Sequence, residues 1–364
     1  MKKIGRQVLW LGTGGENSRN GEGAFLRLRD GSILHGYTEY ISADWADHAV
    51  ARIAGVFSRD EGESWSERFV ILEKPADAQN LMSVSFLRLG NGDVGLFYIH
   101  KLMDGTDKLM LVRSGDEGKT WSEPVNCLMG LEPDYYVLNN DRVLRLQNGR
   151  LIFAAARHHR EVCADRQGNA AWEVRLMPGQ TCFFLSDDDG RSWRKAEREL
   201  HSPYPEEVCG YQEPGLYEFA DGRLWCYIRT GMGYQYESFS EDGGETWTEA
   251  RPNFFFSSPD SPMLVKRVED LTVAVFNPIP NYNGRDRART WGRTPYVLAV
   301  SDDDGKTFRQ DRMFYVEDDL TNGYCYPSML PVEGGLLLAY YHSNDSGICL
   351  NGTKVVKIML EELR

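Results

Sequence analysis

The chain has 364 residues, 41% of them hydrophobic and 12% aromatic, ample apolar surface for one large core. Its formal charge of −13 speaks against a nucleic-acid binder, which needs a net basic footprint, and any anionic ligand would require a locally positive pocket. Seven scattered cysteines, odd in number and without C-x-x-C spacing, argue against a disulfide framework and a zinc site, so neither metal nor cofactor is expected.

From the N-terminus, the apolar run 8–11 is too short for a signal-peptide core and ends in Gly12-Thr13-Gly14-Gly15. No segment approaches transmembrane length, so the expectation is a cytoplasmic protein without membrane insertion. The stretch 27–38 carries two apolar runs on either side of Asp30-Gly31 and predicts a β-hairpin. The pattern recurs at 88–99 around Asn91-Gly92, 145–156 around Asn148-Gly149, and 218–229 around Asp221-Gly222. It returns at 331–341 around Gly334-Gly335, with a weaker copy at 267–277 that turns at Glu269-Asp270.

Each hairpin except the last is followed by a further apolar strand, such as 51–57 or 296–300. That strand runs into an eight-residue box, Ser-x-Asp-x-Gly-x-[Ser/Thr]-aromatic. The boxes begin at Ser58, Ser114, Ser186, Ser240 and Ser301 and close on Trp65, Trp121, Trp193, Trp247 and Phe308. A short segment after each box, for example 65–71, supplies a fourth strand. Self-similarity at this period means a repeat architecture. Six units of four antiparallel strands predict an all-β fold, a six-bladed β-propeller, which hides its sheet edges by radial repetition. The sixth unit ends at 352–358 without a box, and a strand over 7–11 is expected to complete it and close the ring. One domain over 1–364 follows, with the surplus at 161–179 as a loop insertion in blade three.

Five such boxes at the third-to-fourth strand turn of a six-bladed propeller resemble the Asp-box, or BNR, repeats of the sialidase superfamily, over essentially the whole chain. The boxes themselves read as structural. Asp and Ser side chains can satisfy N–H groups of the turn, Gly supplies positive φ, and Trp packs between blades. A calcium reading fails, since Asp302-Asp303-Asp304-Gly305 lacks the alternate spacing and the distant bidentate Glu.

Strand direction separates the two faces of the ring. If the hairpin and box turns lie on one face, the starts of first and third strands and the ends of second strands share the other. Polar residues collect at those positions: Arg19, Asp44, Asp47, His100, Lys101, His158, His159, Glu213, Arg229, Arg293, Tyr326 and His342. Their coincidence on one face marks a candidate site.

Read in chain order, Arg19, Asp44, Glu213, Arg229, Arg293 and Tyr326 match the order of sialidase active-site residues. The resemblance implies an exo-acting hydrolase that releases a terminal acidic sugar from a glycan or oligosaccharide. Arg19, Arg229 and Arg293 would clamp the sugar carboxylate, since guanidinium forks bind carboxylates with two directed hydrogen bonds. Tyr326 would be the nucleophile and Glu213 its base, because a neutral phenol approaches a carboxylate-bearing carbon without the repulsion a second carboxylate would meet. Asp44 would be the acid/base, with Asp47 in the same loop as a rival. His158 has no counterpart in the ordinary sialidase pattern and is a candidate substrate contact. Cys209, Cys226 and Cys325 flank site residues and read as packing. A uronate-specific glycosidase or lyase, or a non-catalytic glycan-binding propeller, would carry much the same residues.

Overall fold

Gly31, Gly92, Gly149 and Gly222 adopt φ of 85°, 88°, 90° and 85°, a region open to glycine at no steric cost, and each closes the tight turn between two antiparallel strands. In a computed structural model, which describes residues 1–164, 172–204, 209–280, 287–344 and 348–364, these hairpins open four of six blade sheets, and turns at Glu269 and Gly334 open the other two. Blade one is Asn20–Arg27, Ile33–Tyr40, Ala51–Ser58 and Phe69–Leu72, joined in sequence order from the axis outward. Blades two, four and five repeat that order, and blade three does so with a first strand split into Tyr135–Val137 and Leu144–Arg145. The ring closes as expected. Arg6–Leu11 pairs antiparallel with Gly352–Met359 and becomes the outer strand of blade six, beyond Gly335–His342 and Tyr324–Val332. The one α-helix among the described residues is a four-residue turn, Arg287–Thr290. In blade three a two-stranded ladder of Arg160–Ala164 and Trp172–Leu176 stands apart from the blade sheet; residues 165–171 of the expected insertion lie outside the described ones.

The split in blade three has a physical cause. Segment 138–143 leaves the sheet and crosses to the ring's centre, where its polar groups bond to four other blades. Asn140 Nδ2 donates to the carbonyls of Gly23 (2.7 Å) and Pro327 (3.1 Å), in blades one and six. Arg142 Nη2 donates to Met263 O at 2.6 Å, just ahead of blade five, and the Asp141 N–H donates to Val84 O of blade two at 3.0 Å. Lys266 of blade five answers with Asp141 at 2.6 Å and Met329 O at 2.9 Å. The plug floors the central cavity described below.

All five boxes share one hydrogen-bond pattern. Ser186 Oγ accepts the Gly190 N–H at 2.7 Å and donates to Asp188 at 2.8 Å, while Asp188 accepts the Ser192 N–H at 2.9 Å. The aromatic residue packs on the preceding blade: the Trp247 ring stacks on Phe183 at 4.0 Å between centroids. The fourth box residue adds a staple. Glu117, Asp189 and Asp304 accept backbone N–H groups from the hairpin turns of the preceding blades, at Arg29 (2.9 Å), Gly90 (2.7 Å) and Ala220 (2.6 Å). Box turns and hairpin turns therefore share a face. Ser186→Ala leaves the buried Gly190 N–H without its acceptor. A loss of about 1–3 kcal/mol in denaturant unfolding is expected, with turnover per folded molecule unchanged.

Candidate active site

The innermost strands of blades one, two, four and six each carry a register shift, between Gly21 and Ala24, Met82 and Ser85, Gln212 and Gly215, and Cys325 and Ser328. At each shift a non-glycine residue takes positive φ: Glu22 at 51°, Ser83 at 60°, Glu213 at 40° and Tyr326 at 55°. Such bulges re-aim a side chain, and left-handed non-glycine residues cluster where surrounding structure over-determines them. All four line one cavity of about 240 Å³ at the axis, on the face opposite the boxes.

Tyr326 and Glu213 meet there. The Tyr326 hydroxyl donates to Glu213 Oε1 at 2.6 Å, and Arg229 Nη1 bonds Glu213 Oε2 while approaching the Tyr326 hydroxyl at 3.4 Å. Burial, and next the Glu213 charge, push the Tyr326 phenol well above its ordinary range, so it rests protonated. Arg229 also donates from Nε to Asp260 at 2.5 Å. Burial opposes that guanidinium's charge, but Glu213 and Asp260 hold its pKa well above normal, and Arg229 in turn holds Asp260 well below the carboxylate range.

Arg293 reaches the same place from blade five. Its guanidinium lies 5.5 Å from the Tyr326 ring centroid and 5.1 Å from that of Trp291, donates from Nε to the Asp260 carbonyl at 3.2 Å, and rests Nη1 on Cys325 Sγ at 3.3 Å. Cys325 was expected only to pack, and it also orients this arginine. Among the described residues, Nη2 of Arg229 and Nη2 of Arg293 have no hydrogen-bond partner. Two cationic donors are thus available at one side of the cavity, beside the phenol. Arg19 stands differently. It is 1% exposed behind the wall, with every nitrogen engaged: Nε to the Tyr341 hydroxyl at 2.7 Å, Nη1 to Asp47 at 2.5 Å, and Nη2 to Glu22.

The two acids of the blade-one loop part company. Asp47 lines the cavity, paired with Arg19, and its backbone carbonyl accepts Asn80 Nδ2 at 2.8 Å and Lys101 Nζ at 3.2 Å. Burial would raise its pKa, but Arg19 prevails and holds it below normal. Asp44 is outside the cavity lining; its Oδ1 accepts the Ala46 N–H at 2.9 Å, and Oδ2 lies 3.9 Å from His48 Nε2.

His158 lines the cavity, whereas His100, His159 and His342 do not. A carbonyl can only accept, so His158 Nδ1, 3.0 Å from Met177 O, carries the proton. Burial lowers this imidazole's pKa, which keeps it neutral with its lone pair on Nε2. Glu22, Lys101, Asp107, Tyr135, Asn139 and Gln212 complete the polar lining, and of these only Lys101 was singled out in the sequence. Glu22 had a detectable signal, because it occupies in blade one the bulge position that Glu213 and Tyr326 occupy in theirs. Asp260, just ahead of the first strand of blade five, also fits the face rule. Among the described residues no cluster of three or more His, Cys, Asp or Glu could hold a metal ion.

Comparison with known proteins bears on this geometry. The family model of BNR repeat-like domains matches residues 37–339. A sialidase of Bacteroides fragilis (strain YCH46) is 25% identical over 268 residues, 71% of this chain and 43% of its own length. An anhydrosialidase of Macrobdella decora is 24% identical over 269 residues, 70% of this chain and 32% of its own. The chain thus spans less than half the length of either relative. Among solved structures, the intramolecular trans-sialidase from Ruminococcus gnavus has the same fold, with a TM-score of 0.71 at 16% identity, covering 98% of this chain and 97% of that one.

Proposed function

Because the chain belongs to the family of BNR repeat-like domains and is a sialidase-superfamily propeller, we propose that it is an exo-glycoside hydrolase releasing a terminal acidic sugar with retention of configuration. The observation that carries this reading is the hydrogen-bonded chain Tyr326–Glu213–Arg229 beside the open nitrogens of Arg229 and Arg293.

Arg229 and Arg293 bind the substrate carboxylate, with Arg19 behind them as an electrostatic support. That anchor brings the anomeric carbon over the Tyr326 hydroxyl. As the glycosidic bond lengthens, positive charge grows on the sugar, Glu213 takes the phenolic proton, and the Tyr326 oxygen forms a bond to the anomeric carbon. The leaving oxygen departs with a proton from the acid of the blade-one loop. In the second half, that residue takes a proton from water, whose oxygen displaces Tyr326 from the anomeric carbon, and Glu213 returns the phenolic proton to the departing Tyr326 oxygen.

The acid/base role fits Asp47 better than Asp44, since only Asp47 faces the cavity. Paired with Arg19, Asp47 rests ionised. A bound carboxylate would compete for the positive field and raise the Asp47 pKa toward that of a usable acid. The alternatives make different products. Fluorogenic sialosides and uronides separate a sialidase from a uronidase, and a growing ultraviolet absorbance of an unsaturated uronate reveals a lyase. With a sialoside of poor leaving group, Asp47→Asn is expected to lower kcat by about 10²–10⁴-fold, while Asp44→Asn stays close to wild type. The reverse ranking would return the role to Asp44. Binding without turnover of any acidic glycoside would leave a lectin.

A further inference from the structure

The cavity has a second polar wall that the hydrolytic chemistry does not use. Around a six-bladed ring, blade three stands opposite blade six, so residues of blades two and three face the sugar from the side away from Tyr326. Asp107 begins the third strand of blade two, Asp107–Ser114, and is 4% exposed. Both of its carboxylate oxygens are buried without a hydrogen-bond partner among the described residues. Its cross-strand neighbour is Lys101, which does not satisfy it. Lys101 Nζ instead lies 5.0 Å from the Tyr135 ring centroid, 3.5 Å from the Tyr135 hydroxyl and 3.2 Å from the Asp47 carbonyl.

Asn139, 1% exposed on the plug segment, repeats the pattern. Its Oδ1 accepts the Asn140 N–H at 2.6 Å, and its Nδ2 is buried without a partner. The Tyr135 ring leads on to His158 at 5.8 Å between centroids, and His158 keeps the Nε2 lone pair described above. Buried polar groups are nearly always hydrogen-bonded, and a set of exceptions around one cavity calls for an explanation. The groups of this wall also differ in kind: the unpartnered acceptors of Asp107, the Nε2 lone pair of His158 and the unpartnered donor of Asn139. A hydroxyl group both donates and accepts, so neighbouring hydroxyls of a sugar match the mixture. Burial pushes the Asp107 carboxyl up to about 7, so near neutrality it can donate as well as accept.

We infer that Asp107, with Asn139 and His158, forms a subsite that reads hydroxyl groups of the bound sugar, and that Asp107 is a specificity-determining residue. The inference rests on the acidic-sugar reading for its ligand, but its atoms are separate from the clamp and the nucleophile. It also carries a stability signature. A carboxyl held unpartnered for a ligand destabilises the free protein, so Asp107→Leu is expected to melt higher than wild type while losing discrimination.

The test is a cycle between protein and ligand. N-acetylneuraminic acid, its monodeoxy analogues and its side-chain-shortened analogue are titrated calorimetrically into wild type, Asp107→Leu and Asp107→Asn. In wild type, at least one analogue should bind about tenfold more weakly than the parent sugar. In Asp107→Leu that difference should vanish, and Asp107→Asn, which keeps shape and one acceptor, should retain part of it. Equal losses for every sugar, or a difference that survives in Asp107→Leu, would overturn the subsite. Hydrolysis that persists alongside that result would leave the hydrolase reading standing. If wild type binds no acidic sugar, the clamp reading fails, and the same cycle with methyl hexosides tests the wall alone: coupling to Asp107 keeps it and no coupling ends it. Should Asp107→Leu not fold, Asp107→Asn carries the cycle.

Discussion

Tyr326→Phe is expected to lower kcat/KM on acidic glycosides by about a thousandfold or more, with little change in melting temperature. The expected size follows from what the hydroxyl does. In the proposed mechanism it forms the bond to the anomeric carbon, and its proton has one recipient, Glu213 at 2.6 Å. Removing it takes away the nucleophile, while Glu213 keeps its pairing with Arg229, so no buried charge is orphaned. Glu213→Gln should cost about 10²–10⁴-fold, the range of a lost general base. The double variant should be hardly worse than Tyr326→Phe, because the two side chains act as one unit. The decisive measurement is kcat on a fluorogenic sialoside, with stability followed in parallel. Near-wild-type turnover by Tyr326→Phe would end the tyrosine-nucleophile mechanism.

Arg293→Lys carries the second large effect, expected as a rise in KM for acidic substrates of about 10- to 100-fold and a smaller fall in kcat. The guanidinium spends Nε on the Asp260 carbonyl and Nη1 on Cys325, and still offers Nη2 to a ligand. An ammonium is a point charge and cannot span those positions with the same directed geometry. Removing one member of a buried, hydrogen-bonded charge pair costs about 2–5 kcal/mol, and lysine recovers part of this by keeping the charge. A drop in kcat with KM unmoved would mean that Arg293 does not anchor the carboxylate. Inhibition by the free acidic sugar offers a second readout, because it involves no chemistry and should weaken in step with KM.

How far the site was legible in the sequence differs from residue to residue. Glu213, Arg229, Arg293 and Tyr326 line the cavity, and they stood out in the sequence because the repeat places first-strand starts, second-strand ends and third-strand starts on one face and because their chain order resembles that of sialidases. Four strands per unit leave few positions that can reach the axis. Asp44 and Asp47 could not be separated that way. They share one loop, and the outcome depends on Arg19, whose own Nε is held by Tyr341 from blade six. That contact exists only once the ring has closed. Asp107 was overlooked because a charged residue at a strand start ordinarily reads as solvated. Its surroundings come from elsewhere in the chain: Lys101 faces it across the ladder, and its N–H donates to the Asp134 carbonyl at 3.0 Å. Arg19 stood out in the sequence as a carboxylate clamp, but its saturation by Tyr341, Asp47 and Glu22 was not foreseeable, because those partners come from three separate strands and loops.

The sequence by itself determined the architecture of this protein. Hairpin dipeptides and boxes act within eight to twelve residues, through turn geometry and local hydrogen bonds, and their repetition forces six blades and a closed ring. The tertiary structure alone decided which polar groups face the axis, which are neutralised and which remain open. Left-handed bulges at Glu22, Ser83, Glu213 and Tyr326 turn side chains inward by amounts that no residue pattern encodes. Partners from blades distant in sequence then use up the donors of Arg19 and leave those of Arg229 and Arg293 available. Long-range electrostatic pairing depends on distances set by ring closure, and those distances exist only in the folded chain.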